Sequence, residues 1–231
     1  VLGQDNIKTL LSQKVDGAEF LITTDPGHIQ ALAEVGATNE YIMLGNKKIH
    51  TFFFSHVNWT EEEENIKRYG FYIKTLELPP PAQIMFKLFS KWGRMKIFKT
   101  LGYPKLVMKK NPQVYAQTGA MGIITIPNTT PVDFINAGRL TQKIWLTATK
   151  LGLSMQPMTG VLFFMLRLMS GDAQTFSESE QAIIKKQYQV VHDIFNTKDQ
   201  TIVMMFRIGV GDSPSAQSTR YNMEIFINTS V

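Results

Sequence analysis

Side chains that could carry catalysis on their own are scarce in this sequence, and none lies in a catalytic pattern. There is no cysteine, which excludes disulfides, thiolate metal ligands and a cysteine nucleophile. The run Glu61–Glu64 is typical of a helix start, no serine lies in a nucleophile elbow, and no glycine-rich dinucleotide fingerprint follows a strand. The sequence therefore predicts no catalytic side chain. It also predicts no metal site, because the histidines lack metal-ligand spacing: His28, His50, His56 and His192.

Positive charge is concentrated in one stretch of the chain. The net charge is +5, and no acidic residue lies between Glu77 and Asp133, whereas eight of the 24 basic residues do. A basic block inside an otherwise nearly neutral chain favours an anionic partner at that place. We expect residues 79–118 to form a basic, helical insertion or lid. Its basic residues are Lys87, Lys91, Arg94, Lys96, Lys99, Lys105, Lys109 and Lys110.

The first half of the chain predicts short alternating elements. We expect a strand over Glu19–Thr23, a helix from Pro26 to about Val35, and a second helix over Thr38–Phe54. Thr60 followed by Glu63 has the spacing of a capping box. After three consecutive prolines, residues 84–95 have helical periodicity, with an apolar face that includes Phe89 and Trp92 and a basic face opposite to it.

The second half predicts longer elements. We expect a buried strand over Met121–Ile126, a long helix from Pro131 to about Leu151, a capped helix from Ser177 to about Phe195, and a central strand over Ile202–Val210. The long helix has one apolar stripe: Ala137, Leu140, Ile144, Ala148 and Leu151. Helices packed on a small mixed or antiparallel sheet give an α+β fold class.

Three segments together resemble the nitroreductase superfamily of FMN-dependent proteins. They are GRLTQKIWLTATKLGLSMQPMTG (138–160), FRIGVGDSPSAQSTR (206–220) and HVNWTEEEENIKRYGF (56–71), the last followed by TLELPPP. The third segment is similar to a divergent branch, some members of which are fused to an adenylating domain of the ubiquitin-activating type. The resemblance covers most of the chain and depends on the order and spacing of all three segments.

The resemblance implies an FMN site. In proteins of this type the flavin ring lies against the loop after the long helix, which here is Gln156-Pro157-Met158-Thr159-Gly160. Pro157 restricts its own φ and favours an extended Gln156, and Gly160 allows close backbone approach. Backbone N–H groups of such a loop can stabilise negative charge on a reduced flavin. Residues on this part of the chain that could give the ring apolar cover are Met155, Met158 and Phe163.

The resemblance also assigns a phosphate-binding cation. Arg220 matches the family position, and Ser218 and Thr219 could add hydroxyl donors. The family's N-terminal string of the Arg-Arg-Ser-x-Arg type is absent, as is the asparagine-containing loop after it. We therefore expect residues 1–231 to be a single nitroreductase-like domain, about its C-terminal two-thirds, and the missing N-terminal part either precedes Val1 or has been lost in this member. FMN could then be absent from this stretch alone.

The function that these expectations favour is a cytoplasmic FMN-dependent oxidoreductase. NADH or NADPH would be the electron donor, and a small molecule such as a nitro compound or quinone the acceptor. We expect a homodimer or an intramolecular pseudo-dimer, and no nucleic-acid partner. The alternative is a non-catalytic module of the same fold that stores flavin or binds a partner within a larger enzyme.

The basic helix at residues 84–95 leaves three interpretations open. It can be a solvated face whose apolar side packs on the core, which is the commonest case. It can line the mouth of the active site and attract the phosphates of a nicotinamide cofactor. It can also lie on an anionic membrane, which would make the chain a peripheral membrane protein.

Overall fold

The computed structural model describes residues 2–197 and 199–221 of the chain. Its strands are β1 (Glu19–Thr23), β2 (Val57–Asn58), β3 (Phe71–Tyr72), β4 (Ala120–Ile126), β5 (Ser154–Pro157) and β6 (Thr201–Gly209). Its α-helices are α1 (Gln4–Leu11), α2 (Pro26–Gly45), α3 (Lys47–Ser55), α4 (Glu61–Lys67), α5 (Pro80–Phe89), α6 (Trp92–Thr100), α7 (Tyr103–Lys110), α8 (Pro112–Tyr115), α9 (Pro131–Lys150), α10 (Gly160–Met169) and α11 (Glu178–Phe195). The α+β fold class with an antiparallel sheet is thus confirmed.

Two units make up the described chain, although the sequence led us to expect a single domain. The first unit comprises the residues up to Ile42 together with Gly102–Asp212. The second unit comprises Met43–Leu101 together with the segment that starts at Ser213. The basic stretch at residues 79–118 contains α5 and α6, which belong to the second unit, and α7 and α8, which belong to the first.

A four-stranded antiparallel sheet forms the centre of the first unit. Its strand order is β1-β4-β6-β5, so the two strands predicted to be buried lie in the middle. All seven residues of β4 are buried. β6 pairs with β4 on one side and with the short edge strand β5 on the other. These central strands are rich in β-branched and methionine side chains because both faces of the sheet are covered.

Each face of this sheet carries its own apolar layer. On one face the stripe of α9 packs against strand residues such as Phe206, and Leu140 and Ile144 are fully buried there. On the other face α2, α10 and α11 pack against Met121, Ile123 and Met205. Each fully buried side chain of this size stabilises the fold by about 1.5–3 kcal/mol. The predicted stripe of α9 is therefore confirmed as the core-facing side of the helix.

Side-chain caps fix where the two long helices of this unit begin. At the start of α9, Thr130 and Asp133 form a reciprocal capping box with Pro131 in the first turn. At the start of α11, Ser177 and Glu180 form the second such box. Caps of this kind each stabilise a helix by about 1 kcal/mol. The start of α9 was predicted from Pro131 alone, and that of α11 from its capping box.

The helix boundary predicted near residue 36 is wrong. α2 continues through Gly36 to Gly45, and the break falls at Asn46, whose side chain accepts hydrogen bonds from the N–H groups of Lys48 and Ile49. Gly36 remains helical because it packs tightly: a Cβ at this position would lie 2.2 Å from Cε of Met158. Tertiary packing here outweighs the low helix propensity of glycine.

The single helix predicted over residues 84–95 is also wrong. α5 ends at Phe89 and α6 begins at Trp92, with Lys91 in an extended conformation between them. The break lets Phe89 turn inward, where it is 2 % exposed and its carbonyl accepts a hydrogen bond of 2.8 Å from Nε2 of His50. Trp92 packs edge-on against the same imidazole. These two aromatic side chains therefore pack within the second unit, as the solvated-face interpretation expects.

The second unit is small and rich in aromatic side chains. β2 and β3 pair in parallel, and the N–H of Phe71 donates to the carbonyl of His56. Gly70 makes this pairing possible because its φ is +84° and a Cβ there would lie 2.1 Å from the His56 oxygen. The aromatic residues that pack around Phe54 are His50, Phe53, Trp59 and Phe86. Within residues 2–197 and 199–221, no helix is both long enough and apolar enough to cross a bilayer.

Candidate functional site

The predicted flavin loop is not a loop. Gln156 and Pro157 belong to the edge strand β5, Thr159 is the N-cap of α10, and Gly160 is the first residue of that helix. The N–H of Met158 donates to the carbonyl of Met205 at 2.7 Å, which extends the pairing with β6 by one residue. Proline is tolerated here because an edge strand leaves alternate N–H positions without a partner strand. The segment is therefore a rigid strand-to-helix junction.

Two close contacts hold this junction against α2. Met158 is buried, and its side chain reaches Gly36, where only a glycine leaves it room. Gly160 lies against Asn39, and a Cβ at position 160 would be 1.9 Å from the Asn39 Oδ1 atom. The side chain of Met158 thus faces the core, so it does not provide the exposed apolar cover that we expected of it. Phe163, one turn into α10, is 50 % exposed.

The junction ends at the positive end of a helix. α10 runs from Gly160 to Met169, and the side chain of Thr159 makes no capping hydrogen bond with it. The N–H groups of the first turn of a helix have no intrahelical acceptor, and they carry the positive pole of its dipole. Thr159 and Gly160 are each partly exposed. The geometry therefore suits a ligand that carries or develops negative charge.

Arg207 adds a positive charge beside the strand part of the junction. It lies opposite Gln156 in the β5–β6 pairing, and its Nε donates to Oε1 of Gln156 at 2.6 Å. Its Nη1 donates to the carbonyl of Val114 at 2.9 Å, and the guanidinium lies 5.6 Å from the centroid of the Tyr115 ring. Burial lowers the pKa of Arg207, and the charge interaction with Tyr115 partly offsets this. No carboxylate lies within 4.0 Å of the guanidinium of Arg207 among residues 2–197 and 199–221.

Tyr115 connects this cluster to a buried carboxyl group on α2. Its hydroxyl donates to Oε1 of Glu40 at 2.7 Å, and Oε2 of Glu40 is buried with no partner in the described part of the chain. Burial raises the pKa of Glu40, although the hydrogen bonds, chiefly that of Tyr115, oppose the rise. Burial and the neighbouring Glu40 also raise the pKa of Tyr115. The pair therefore favours the protonated forms of both groups.

The predicted phosphate ligands lie in the second unit. Ser218 and Arg220 are both exposed on the segment after Ser213. Thr219, between them, is not free to bind a phosphate: its N–H donates to Oε1 of Glu64 at 2.8 Å and its hydroxyl bonds to the same residue. Thr219 thus anchors the segment to α4, and this leaves Ser218 and Arg220 as the exposed side chains on either side of it.

Two carboxylates of the second unit hold this segment. Glu64 is 3 % exposed and also accepts a hydrogen bond of 2.7 Å from Nδ2 of Asn58. Burial acts to raise the pKa of Glu64, but the hydrogen bonds from Asn58 and Thr219 outweigh it, and the pKa is lowered overall. Glu77 accepts from the N–H and hydroxyl of Ser215 at 2.6 and 3.0 Å. The segment is therefore fixed by charge-assisted hydrogen bonds.

Sequence reasoning found part of this arrangement and missed the rest. It identified Gln156–Gly160 as a unit, and the structure places Arg207 beside this unit. It missed Tyr115 and Glu40, because a tyrosine in a short helix and a glutamate in the middle of a long helix give no local signal. Within the part of the chain that the structure describes, no group of three histidine, aspartate or glutamate side chains could hold a metal ion.

The chain is similar to known proteins in structure but not in sequence. No protein-family model and no curated protein matches the sequence. The FMN-dependent nitroreductase from Mycobacterium smegmatis, solved in complex with NADPH, is similar in structure with a TM-score of 0.50 at 10% identity, over 97% of this chain and 87% of that chain.

Two further solved structures give weaker likenesses. A nitroreductase with bound FMN from Desulfitobacterium hafniense has a TM-score of 0.47 at 8% identity, over 97% of this chain and 86% of that one. A nitroreductase-like family protein from Bacillus cereus has a TM-score of 0.45 at 12% identity, over 98% and 84%. The likeness to the M. smegmatis structure shows that the chain has the nitroreductase fold.

Proposed function

We propose that this chain is an FMN-dependent oxidoreductase that takes electrons from NADH or NADPH and passes them to a small acceptor such as a nitro compound or quinone. The observation that carries the proposal is the rigid junction from Gln156 to Gly160, which ends at the uncapped N-terminus of α10 in a chain of nitroreductase fold. The M. smegmatis neighbour of the same fold is an FMN-dependent nitroreductase in complex with NADPH.

The residues of the junction fit a flavin ring. A flavin needs hydrogen-bond donors near the polar edge of its ring and a flat surface beside it. The N–H groups at the start of α10 are preorganised donors whose dipole favours negative charge. Pro157 is exposed and rigid, and Phe163 is half exposed, so both can cover the ring. Gly160 keeps the backbone close to Asn39, and so fixes the direction in which these N–H groups point.

Gln156 would supply a side-chain donor to the same ligand. Because Arg207 donates to Oε1 of Gln156, the amide is oriented with its carbonyl towards the guanidinium and its NH₂ away from it. Gln156 is exposed, so this NH₂ is accessible to a ligand. Met158 contributes through its position in the core, which holds the junction on α2.

In the second unit, we propose Arg220 as the cation and Ser218 as a hydroxyl donor for the FMN phosphate. Both side chains are exposed, and the Glu64–Thr219 hydrogen bonds fix the backbone between them. A guanidinium can hold two phosphate oxygens at once, which suits a dianionic tail.

Bound FMN would supply the redox chemistry, accepting hydride equivalents from the nicotinamide and giving electrons to the acceptor. The chain then has to bind and orient its ligands, exclude water from the ring face and stabilise developing negative charge. Backbone N–H groups can perform this last task without a catalytic histidine, cysteine or aspartate.

We also propose that the chain assembles as a homodimer. The outer side of α9 exposes apolar side chains that have no role in the core of the unit: Val132 is 63 % exposed, Ile135 is 62 % exposed and Leu146 is 60 % exposed. Apolar residues gathered on one surface favour a protein partner. One chain spans 87% of one M. smegmatis nitroreductase chain, so it corresponds to one copy of the fold.

The experiment that tests the function is a titration of the purified chain with FMN, followed by visible absorbance and by the loss of flavin fluorescence. The loaded protein is then mixed with NADH or NADPH and with a nitroaromatic compound or a quinone. We expect saturable FMN binding and acceptor-dependent oxidation of NADH or NADPH. Arg220→Ala should weaken FMN binding by roughly tenfold, since a hydrogen bond to a charged group is worth about 1.5–3 kcal/mol.

Two other outcomes of this experiment would change the proposed function. Binding of FMN without nicotinamide oxidation would replace the enzyme by a flavin-storing module. Absence of FMN binding, both by residues 1–231 and by any longer form of the chain, would overturn the proposal. The matched control is Arg68→Ala, which removes an exposed arginine of the same unit and should leave FMN affinity unchanged.

A further inference from the structure

A basic groove lies in the first unit, apart from the junction at Gln156–Gly160. It is an open cleft of about 430 Å³ between the turn that follows α1 and the side of α9 that carries Asn136, Arg139 and Lys143. α1 and α9 belong to one apolar layer of the sheet, whereas Met158 of the junction packs in the opposite layer. The residues that line the groove are Lys14, Val15, Asp16, Asn136, Arg139 and Lys143.

Defined contacts shape this groove. Nζ of Lys143 donates to the carbonyl of Lys14 at 3.0 Å, which holds the lysine against the turn. Gly17 has a φ of +80° and brings the turn close to α9, since a Cβ there would lie 3.2 Å from Nδ2 of Asn136. Asn136, Arg139 and Lys143 succeed one another at intervals of three and four residues, so they lie on one side of the helix.

The charges in the groove are not balanced by the chain. Three cations, Lys14, Arg139 and Lys143, stand against the single carboxylate of Asp16. None of the three cations lies within 4.0 Å of a carboxylate in residues 2–197 and 199–221, where the ion pairs are His28–Asp25 and Arg167–Asp172. Like charges four residues apart on a helix, such as Arg139 and Lys143, destabilise it. A bound anion would turn this repulsion into attraction.

We propose that the groove binds the phosphate groups of a diphosphate. A guanidinium can hold two oxygens of one phosphate, while the ammonium groups act as point charges on the neighbouring phosphate. Asn136 adds a neutral amide donor beside them. The volume of the groove is in the range of small-molecule sites, about 300–1,000 Å³. Val15 is the one apolar residue of the lining, so the groove recognises charge and offers little surface to a peptide side chain.

Isothermal titration of the full chain with inorganic pyrophosphate tests the proposal, with ADP, adenosine and a glutamate-rich peptide as parallel ligands. We expect saturable one-to-one binding of pyrophosphate and of ADP, and none of adenosine. Arg139→Gln and Lys143→Gln should each weaken pyrophosphate binding by roughly tenfold or more, since hydrogen bonds to charged groups contribute about 1.5–3 kcal/mol. Lys185→Gln, an exposed lysine on α11 outside the groove, is the matched control and should bind as the wild type does.

The ligand series separates the sources of the diphosphate. Equal affinity for pyrophosphate and ADP assigns the site to the phosphates alone, and tighter binding of ADP assigns it to a nucleotide. Thermal melts of each variant establish that the fold is intact, which we expect because both Arg139 and Lys143 are exposed. The proposal is overturned by a lack of saturable binding, by an equal loss in the Lys185→Gln control, or by preference for the glutamate-rich peptide.

Discussion

Nε of Arg207 lies 2.6 Å from Oε1 of Gln156, across the strand pair that joins the edge of the sheet to its centre. This hydrogen bond decides the orientation of the Gln156 amide, because the guanidinium can only donate. It also explains why a charged residue occupies an otherwise apolar strand. Arg207 is a positioning residue: it contacts the strand part of the candidate site and the carbonyl of Val114, and it is packed on Tyr115.

Replacement of Gln156 by glutamate tests the oxygen and the NH₂ group of this amide separately. Gln156→Glu keeps an oxygen for Arg207, and the contact becomes an ion pair, so thermal stability should be unchanged or slightly higher. The variant has no N–H to donate, so FMN affinity should fall by severalfold to about tenfold, as expected for one hydrogen bond of about 0.5–1.5 kcal/mol. A flavin fluorescence titration and a thermal melt measure the two effects.

The charge change itself needs a control. Gln142→Glu makes the same substitution at an exposed position on α9 and should alter neither quantity. If Gln156→Glu binds FMN as tightly as the wild type, the amide does not contact the flavin and the proposed role of Gln156 is wrong.

Glycine at position 160 is required by packing. A Cβ there would lie 1.9 Å from Oδ1 and 2.9 Å from Cβ of Asn39, and rotation of the asparagine side chain relieves only the first contact. Gly160→Ala should therefore lower the free energy of unfolding by about 1–3 kcal/mol, the usual cost of overpacking. Urea denaturation measures this value.

Alanine substitutions at two other glycines, Gly36 and Gly138, provide the comparison for Gly160→Ala. Gly36→Ala should cost less than Gly160→Ala, because the clashing atom is the flexible end of Met158. Gly138→Ala on α9 meets no atom within 4 Å and should stabilise the protein by about 0.5–1 kcal/mol, as alanine does in a helix. An unfolding free energy for Gly160→Ala equal to that of Gly138→Ala would contradict the close contact with Asn39.

The hydroxyl of Tyr115 stabilises the buried carboxyl group of Glu40 by a hydrogen bond. Tyr115→Phe removes the donor to Oε1 of Glu40, whose Oε2 already lacks a partner among the described residues. The loss should destabilise the protein by about 1–3 kcal/mol, the cost of a buried polar group left without a partner. Tyr69→Phe, at a residue that is 52 % exposed, is the control and should have little effect.

The same pair predicts a dependence on pH. Burial raises the pKa of Glu40 in the folded state above its unfolded value. Its stabilising contribution is therefore complete at pH values below the unfolded pKa and is lost as the pH rises through the folded pKa. Tyr115→Phe should steepen this loss, and Glu40→Gln should abolish it. Unfolding free energies measured from pH 4 to pH 8 (roughly the range around and above the ordinary glutamate pKa) test this, and a flat profile for the wild type would refute it.

Local signals made the regular part of the fold predictable. The start of α9 at Pro131 and that of α11 after Ser177 follow from capping residues within four positions of each helix start, and the stripe of α9 follows from its periodicity. The long-range contacts were not predictable. The continuation of α2 through Gly36 involves the packing of Met158, which is more than a hundred residues away along the chain.

For the candidate site too, the sequence identified the segment but not its long-range contacts. The order Gln156-Pro157-Met158-Thr159-Gly160 identified the junction, but its residues were expected to form a loop. A four-residue edge strand that contains proline has no β-propensity of its own, and it forms because β6 offers backbone groups to pair with. Thr219 was expected to be a phosphate donor, but its bonds with Glu64 bring together residues 155 positions apart, and no sequence pattern encodes that contact.

Glu64 should control the order of the segment that carries Ser218 and Arg220. Its carboxylate accepts from the N–H of Thr219 at 2.8 Å and from Nδ2 of Asn58 at 2.7 Å. Glu64→Gln keeps the shape but removes the negative charge, so any hydrogen bond that the side chain still accepts from the Thr219 N–H joins neutral groups and is weaker. We expect the Thr219 amide to exchange with solvent about tenfold faster or more, since a hydrogen bond to a charged group contributes about 1.5–3 kcal/mol.

The effect of pH on this segment has the opposite sign to that of Glu40. The hydrogen bonds lower the folded pKa of Glu64 below its unfolded value, so its contribution is present above the unfolded pKa and is lost as the pH falls through the folded pKa. Acid should therefore speed exchange at Thr219 relative to the intrinsic rate in the wild type but not in Glu64→Gln. Glu62→Gln, an exposed neighbour on α4, serves as the control. If Glu64→Gln leaves Thr219 exchange unchanged, the segment is held by other contacts, and Glu64 does not position Ser218 and Arg220.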